Sequence, residues 1–169
     1  MTVTCRDGRP GDGAALAKLF GMAFAETFGH LYAKEDLAAF LRDNGESTFE
    51  RELADRAFAV RLVEDANQLA GYAKLGPNDL PGDAPSGTLE LHQLYLLRPW
   101  HGRGLAQQLM DWTLAEARSR VATHLQLSVF VDNHRARRFY ERYGFEEVGH
   151  YVFMVGNHAD DDRIMRLAL

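Results

Sequence analysis

The sequence predicts an α/β or α+β protein built on a mixed β-sheet with helices on both faces. Three observations lead there. Segments with apolar residues at helical spacing alternate with period-two segments along the whole chain. The 169 residues, 46% apolar and 25% charged, have the composition of an ordinary globular chain and the length of one domain. No linker, internal repeat or low-complexity tract divides them, so residues 1–169 are read as a single domain.

Each element has its own warrant. Residues 2–6 read as a short strand. Asp12 is placed to cap a helix over 13–28, with Leu16, Leu19, Phe20, Ala23 and Phe24 on its apolar face. A second helix follows Lys34-Glu35-Asp36 and buries Leu37, Phe40 and Leu41. Ser47 with Glu50 three residues on is the pattern of a capping box, and predicts a short third helix. The period then changes to two. Residues 57–63 and 68–75 read as a hairpin around Glu64-Asp65-Ala66-Asn67. Residues 76–87 hold Gly76, Pro77, Pro81, Gly82, Pro85 and Gly87 and read as a long loop.

Residues 88–97 are the next strand. A helix over 102–120 carries Leu105, Leu109, Trp112 and Ala115 on one face. Residues 124–131 are a strand, and 133–143 a helix closed by Gly144 at the left-handed cap position. Residues 145–155 and 163–169 read as strands, with Asp160-Asp161-Asp162 as a solvated acidic turn between them.

Composition excludes several functions. The single cysteine, Cys5, rules out a disulfide framework and argues against a Cys/His zinc site, so no metal is expected. A net charge of −5 disfavours nucleic-acid binding and mildly favours a cationic small partner. No apolar run nears the ~20 residues that cross a bilayer. The first residues lack the apolar stretch of a signal peptide, so a cytoplasmic location is expected and no membrane partner. Exposed strand edges leave a homodimer open.

The sharpest local feature is Leu94-Tyr95-Leu96-Leu97-Arg98-Pro99-Trp100-His101-Gly102-Arg103-Gly104-Leu105-Ala106, a strand running through a glycine loop into a helix. The first N–H groups of a helix have no internal acceptor, and with the helix dipole they attract anions. Glycine at 102 and 104 lets the backbone approach a phosphate, and Arg103 adds a charged donor. The P-loop pattern is absent. The dinucleotide fingerprint fails at Gln107, so a Rossmann-type reading is weak. On spacing alone a tight turn without ligand explains the glycines about as well.

His101-Gly102-Arg103-Gly104-Leu105-Ala106 resembles motif A of the GNAT family of N-acetyltransferases, Gln/Arg-x-x-Gly-x-Gly/Ala, departing from it at His101. The run Asn133 to Phe145 is similar to that family's motif B. It keeps the Asn, the alanine three on (Ala136), the tyrosine seven on (Tyr140) and the closing Gly144-Phe145. The two motifs stand in the family's order, and the likeness covers nearly the whole chain. Phe24 to Phe28, Glu90 with Tyr95, and Phe153, Gly156, Asp162, Met165 and Leu169 resemble a PaiA-like subgroup that includes spermidine/spermine acetyltransferases.

The resemblance implies the GNAT fold, a mostly antiparallel central sheet flanked by helices. It also implies acetyl-CoA as cosubstrate and direct transfer of acetyl to a primary amine, polyamines first among them. Leu94, Tyr95 and Leu96, at a bulge of their strand, are expected to hold the pantetheine arm and polarise the thioester carbonyl. His101, Gly102, Arg103, Gly104, Leu105 and Ala106 are expected at the pyrophosphate, with Asn133 also on the cofactor. One of Arg135, Arg137, Arg138 and Arg142 is expected at the 3′-phosphate, and Arg137 can also pair with Glu141.

An ammonium must lose a proton before it can attack. Glu90 occupies the place of the family's base, with His92 as runner-up. Tyr140 is the expected acid, although helical spacing alone would make it core with Phe139 and Tyr143. Thr27, Phe28, His30, Tyr32 and loop 77–87 are expected around the amine. Two other readings stay open: acetylation of a protein N-terminus or lysine, and a non-catalytic acetyl-CoA-binding regulator of the same fold.

Overall fold

The computed structural model describes residues 2–169. In chain order the elements are β1 (Val3–Asp7), α1 (Gly13–Phe28), α2 (Lys34–Asp43), α3 (Glu46–Ala54), β2 (Ala59–Asp65), β3 (Gln68–Pro77), β4 (Thr88–Leu96), α4 (Leu105–Ser119), β5 (His124–Phe130), α5 (His134–Arg142), β6 (Glu146–Val155) and β7 (His158–Ala168). Short 3₁₀ turns follow α1 and β4, at Gly29–Leu31 and Arg98–Trp100.

Seven strands form one sheet in the order β1-β2-β3-β4-β5-β7-β6. Every neighbouring pair is antiparallel except β4–β5. Strand alternation sends successive side chains to opposite faces. Val63, Ala73 and Leu75 meet Leu105, Leu109 and Met110 of α4 on one face. Leu62 and Tyr72 meet Leu16, Leu19 and Phe20 of α1 and Phe49 of α3 on the other. A fully buried side chain of this size contributes about 1.5–3 kcal/mol. These two layers fix the sheet, and the sheet fixes the site.

The parallel pair is what opens the sheet. It runs only from Thr88↔His124 to Glu90↔Gln126. Beyond that apex β4 and β5 diverge, so the β5-facing edge of β4 is unpaired over residues 91–96. On its other side β4 stays bonded to β3. The register there steps from Lys74↔Gln93 to Leu75↔Leu91, which leaves His92 as the bulged residue. The bulge expected near Leu94 to Leu96 is present, at His92.

Several local expectations are corrected. Asp12 does not cap α1 with its side chain. Its carboxylate accepts two bonds from the Arg6 guanidinium (2.8 and 2.9 Å), and Arg6 holds it below the usual carboxylate range. The α1 terminus is instead met by Glu50, whose Oε1 accepts from Gly13 N–H at 2.7 Å and Gly11 N–H at 3.0 Å. Glu50 therefore does not complete a capping box with Ser47; α3 begins at Glu46 without a side-chain cap.

Asp160-Asp161-Asp162 is not a turn. All three lie within β7, and the reversal falls at Gly156-Asn157, where Gly156 has φ +56°. Arg137 pairs with Glu147 (3.2 Å), not Glu141.

Candidate active site

The diverging strands enclose a cavity of about 400 Å³. Its walls come from β4 (residues 91–96), β5 (127–130), the loop and first turn of α4, the inner face of α5, and the end of α1. Phe153 of β6 and Asp160 and Asp162 of β7 complete it.

One end is built for an anion. Gly102 and Gly104 have φ of +74° and +76°, which a side chain bearing Cβ disfavours, and a Cβ on Gly102 would meet nothing within 4 Å. The first backbone bond of α4 runs from Gln108 N–H to Gly104 carbonyl (3.1 Å). The N–H groups of residues 102–107 have no acceptor among the described residues. The helix dipole points the same way, and Arg135 and Arg142 of α5 line this cavity.

His101 lines the cavity but does not offer the donor expected of it. Its Nδ1 accepts from Arg135 (2.9 Å), so the proton sits on Nε2 and is donated to the Leu96 carbonyl (2.7 Å). Its backbone N–H bonds Arg98 (3.0 Å). All its donors are committed. The ring ties the end of β4 to α5 and orients Arg135 toward the loop, which is how the departure from motif A is accommodated.

Asn133 does what its position predicts. Its Oδ1 accepts from Ala136 N–H at 3.3 Å and caps α5, and the residue lines the cavity. Seven residues on, Tyr140 faces the cavity between Phe139 and Phe145. Its hydroxyl has no hydrogen-bond partner among the described residues, and burial pushes it up to about 12. Tyr143 turns away to bond Asp111 at 2.9 Å.

Glu90 sits at the apex, 7% exposed, and is not part of the cavity wall. Its carboxylate accepts from Asp79 N–H (2.8 Å), and burial raises its pKa. It reaches the cavity through His92, whose Nδ1 is 3.6 Å away and whose ring does line the wall. The His92 Nε2 faces the Pro77 carbonyl at 2.8 Å, which can only accept, so Nε2 carries hydrogen. Asp79, Glu90 and His92 have atoms within 4.8 Å of one another. Bonds inside the trio already use part of that donor set, and no metal role is assigned to it.

Of the expected amine contacts, Thr27, Phe28 and Tyr32 line the cavity. His30 does not; it is exposed on the 3₁₀ turn that follows α1. Loop 77–87 does not either, because it folds back over the apex through Asp79 to Glu90 and Asn78 to Gln126 (3.2 Å). The residues that sequence reasoning set aside as a solvated turn are Asp160 and Asp162. Both are buried on the cavity face of β7 while Asp161 is exposed. The Tyr32 hydroxyl donates to Asp160. Asp162 is pushed up to about 7, first by burial and then by Asp160.

Residues 16–145 match the model of the acetyltransferase (GNAT) family. An uncharacterised N-acetyltransferase of Mycobacterium bovis is 34% identical over 155 residues, covering 91% of this chain and 96% of that protein. Among solved structures, the PaiA N-acetyltransferase of Thermoplasma acidophilum in complex with coenzyme A superposes with a TM-score of 0.80 at 16% identity over the full length of both chains. YncA of Salmonella typhimurium, solved with acetyl-CoA, gives 0.75 at 20%, covering all of this chain and 95% of that one.

The chain belongs to the GNAT family of acetyltransferases. It is an acyltransferase, an N-acetyltransferase with acetyl-CoA as cosubstrate. Among the described residues no helix is long and apolar enough to cross a membrane.

Proposed function

We propose that this chain, acting as one domain, acetylates a small cationic primary amine, with polyamines such as spermidine and spermine the first candidates. The observation that carries the reading is the polarity of the cavity. Unpaired backbone donors and Arg135 and Arg142 mark one end, and the buried carboxylates of Asp160 and Asp162 mark the other. A polyanionic cosubstrate and a cationic acceptor are complementary to those two ends.

In this reading the backbone of residues 102–106 and Asn133 hold the diphosphate end, and the open edge of Leu94, Tyr95 and Leu96 holds the pantetheine arm. Bound there, the cosubstrate supplies an activated acyl carbon. Amides aimed at its carbonyl oxygen stabilise the charge that develops as the amine attacks. Tyr140 donates to the departing sulfur. Glu90 lies outside the cavity wall, beside the His92 ring that lines it. Phe28 and Tyr32 pack around the acceptor.

The test is release of free thiol from acetyl-CoA against a panel of amines, run beside peptides with free N-termini and lysines. Turnover with diamines and polyamines above the hydrolysis background supports the reading. Turnover with peptides alone moves the substrate to a protein. Binding of acetyl-CoA without turnover on any acceptor makes the chain a regulator.

A further inference from the structure

Asp160 and Asp162 are 5% and 6% exposed, and among the described residues no lysine or arginine shares their end of the cavity. The lining arginines, Arg135 and Arg142, both come from α5. Burying a carboxylate without a cation is costly, and isolated cases are rare. Asp160 has partners: the Tyr32 hydroxyl, and His158 with Nε2 at 3.2 Å. Ser128 on β5 stands near enough to Asp162 to lower its pKa, and among the described residues no cation pairs with Asp162.

Its position ties it to the transfer centre. Asp162 pairs with Phe130 on β5 and Tyr151 on β6, next to the arm of β5 that walls the cavity. From β4, Tyr95 stands close enough to both Tyr140 and Asp162 for each to raise its pKa. Glu90, by contrast, lies outside the wall behind His92.

We propose that Asp162 is the base that takes the proton from the acceptor ammonium, with Asp160 holding the cation beside it. This rests on the amine-acetylating reading above. The carboxylate accepts one N–H proton, leaving a neutral amine whose lone pair forms the N–C bond to the acyl carbon. The C–S bond then breaks and its electron pair leaves on sulfur. The nitrogen's second surplus proton ends on that sulfur, whose charge the Tyr140 hydroxyl stabilises in passing. Asp162 then returns its proton to water.

The groups facing this carboxylate are Asp160 on its own strand, Ser128 on β5, Tyr95 on β4, Tyr151 on β6 and Tyr32 before α2, while Asp161 acts on it from the opposite, exposed face. Three are tyrosines held neutral by raised pKa values, so they do not stabilise its charge as a cation would. Asp162 is then half ionised near neutrality, where a base is most effective.

The experiment is the pH dependence of kcat/KM for thiol release, in the wild type, Asp162→Asn and Asp162→Glu, with two acceptors. One is an ordinary alkylamine with pKa about 10.4 and the other a weakly basic amine already neutral at pH 8. With the alkylamine, the wild type should rise to a plateau with a midpoint near 7. Asp162→Asn should lose about 10²–10³-fold at pH 8. It should then climb tenfold per pH unit toward the amine's own pKa, as a chain that captures only free amine must. Asp162→Glu should restore the limb at a shifted midpoint.

With the weakly basic amine the Asn variant should lose less than tenfold. Equal losses on both acceptors, or a limb near 7 that survives in Asp162→Asn and vanishes in Glu90→Gln, would overturn the assignment while leaving the substrate reading intact. A wild type that acetylates no amine would overturn both. Unchanged coenzyme A binding heat verifies that each variant is folded.

Discussion

The Tyr140 hydroxyl can help the sulfur leave in two ways, and the structure separates them by magnitude. Burial puts the phenol at about 12, while a thiol of ordinary acidity ionises near about 8.5. Moving a whole proton from Tyr140 to the thiolate is therefore uphill by about 3.5 units, about 5 kcal/mol at 1.36 kcal/mol per unit. Donating a hydrogen bond requires no such transfer, and a bond to a charged group contributes about 1.5–3 kcal/mol. Tyr140→Phe should therefore lower kcat by about 10- to 150-fold.

The affinity for acetyl-CoA should be unchanged within twofold, because the thioester sulfur carries little charge before the C–S bond stretches. Loss of a hydroxyl that bonds none of the described residues leaves no orphaned group behind. Steady-state thiol release gives kcat, and titration calorimetry gives the dissociation constant. A kcat within twofold of wild type would refute the role. So would a fall in kcat/KM matched entirely by weaker binding, which would make Tyr140 a wall residue. A loss beyond about 10⁴-fold would refute the hydrogen-bond argument and require complete transfer.

Other outcomes follow from single contacts. Gly104→Ala has room for its methyl, with only Gln107 Oε1 at 3.5 Å, but forces a left-handed residue to carry Cβ. It should cost about 1–2 kcal/mol, a few degrees in Tm, and weaken coenzyme A binding in calorimetry. Glu50→Ala removes the acceptor for Gly11 and Gly13 N–H. A loss of about 1–2 kcal/mol is expected in urea unfolding, and no loss would show that water caps α1 as well.

The pKa of Asp162 is raised on folding, so its stability contribution is complete below about 4 and is lost as pH rises through about 7. Asp162→Asn should therefore gain on the wild type in Tm between pH 5 and pH 8, by on the order of 1–2 kcal/mol after allowing for solvent screening. A gap that does not vary with pH would show that the carboxylate does not titrate there.

Local periodicity carried most of the fold. The apolar spacing of α1 and α4 and the period-two reading of β2 and β3 are properties of short windows, and those elements form there, except that β2 runs two residues further on, to Asp65, and leaves only Ala66-Asn67 of the expected four-residue turn. The glycine loop was equally legible, since a positive φ leaves its mark on residue choice. What escaped depended on distant partners. Glu50 completes a pattern within its own helix, yet its acceptors are used 37 and 39 residues away. His101 matches a donor position, but its ring is claimed by Arg135 from α5. Glu90 is on the expected strand, but the loop before it folds back and binds its carboxylate.

The acidic triplet failed for a different reason: composition outweighed period. Three adjacent aspartates look solvated, yet Asp160, Asp162 and Ile164 alternate inward on β7.

That failure bears on how an acidic chain holds a polyanion. A net charge of −5 describes the whole surface and falls off within about a Debye length. The cavity is governed by what is buried along it. From the apex outward, one stretch of chain presents an open strand edge over 91–96 and then unpaired helix donors over 102–107. Backbone donors exert an attraction that no surface carboxylate can compensate away, because they are fixed and partly desolvated. Buried negative charge stands at the other end, on β7. Bulk charge mildly favours a cationic partner, and in the proposed reading the two buried aspartates are the form in which that preference acts. A variant neutralising exposed acids such as Glu35 or Asp43 leaves that polarity intact, whereas neutralising Asp160 or Asp162 removes it.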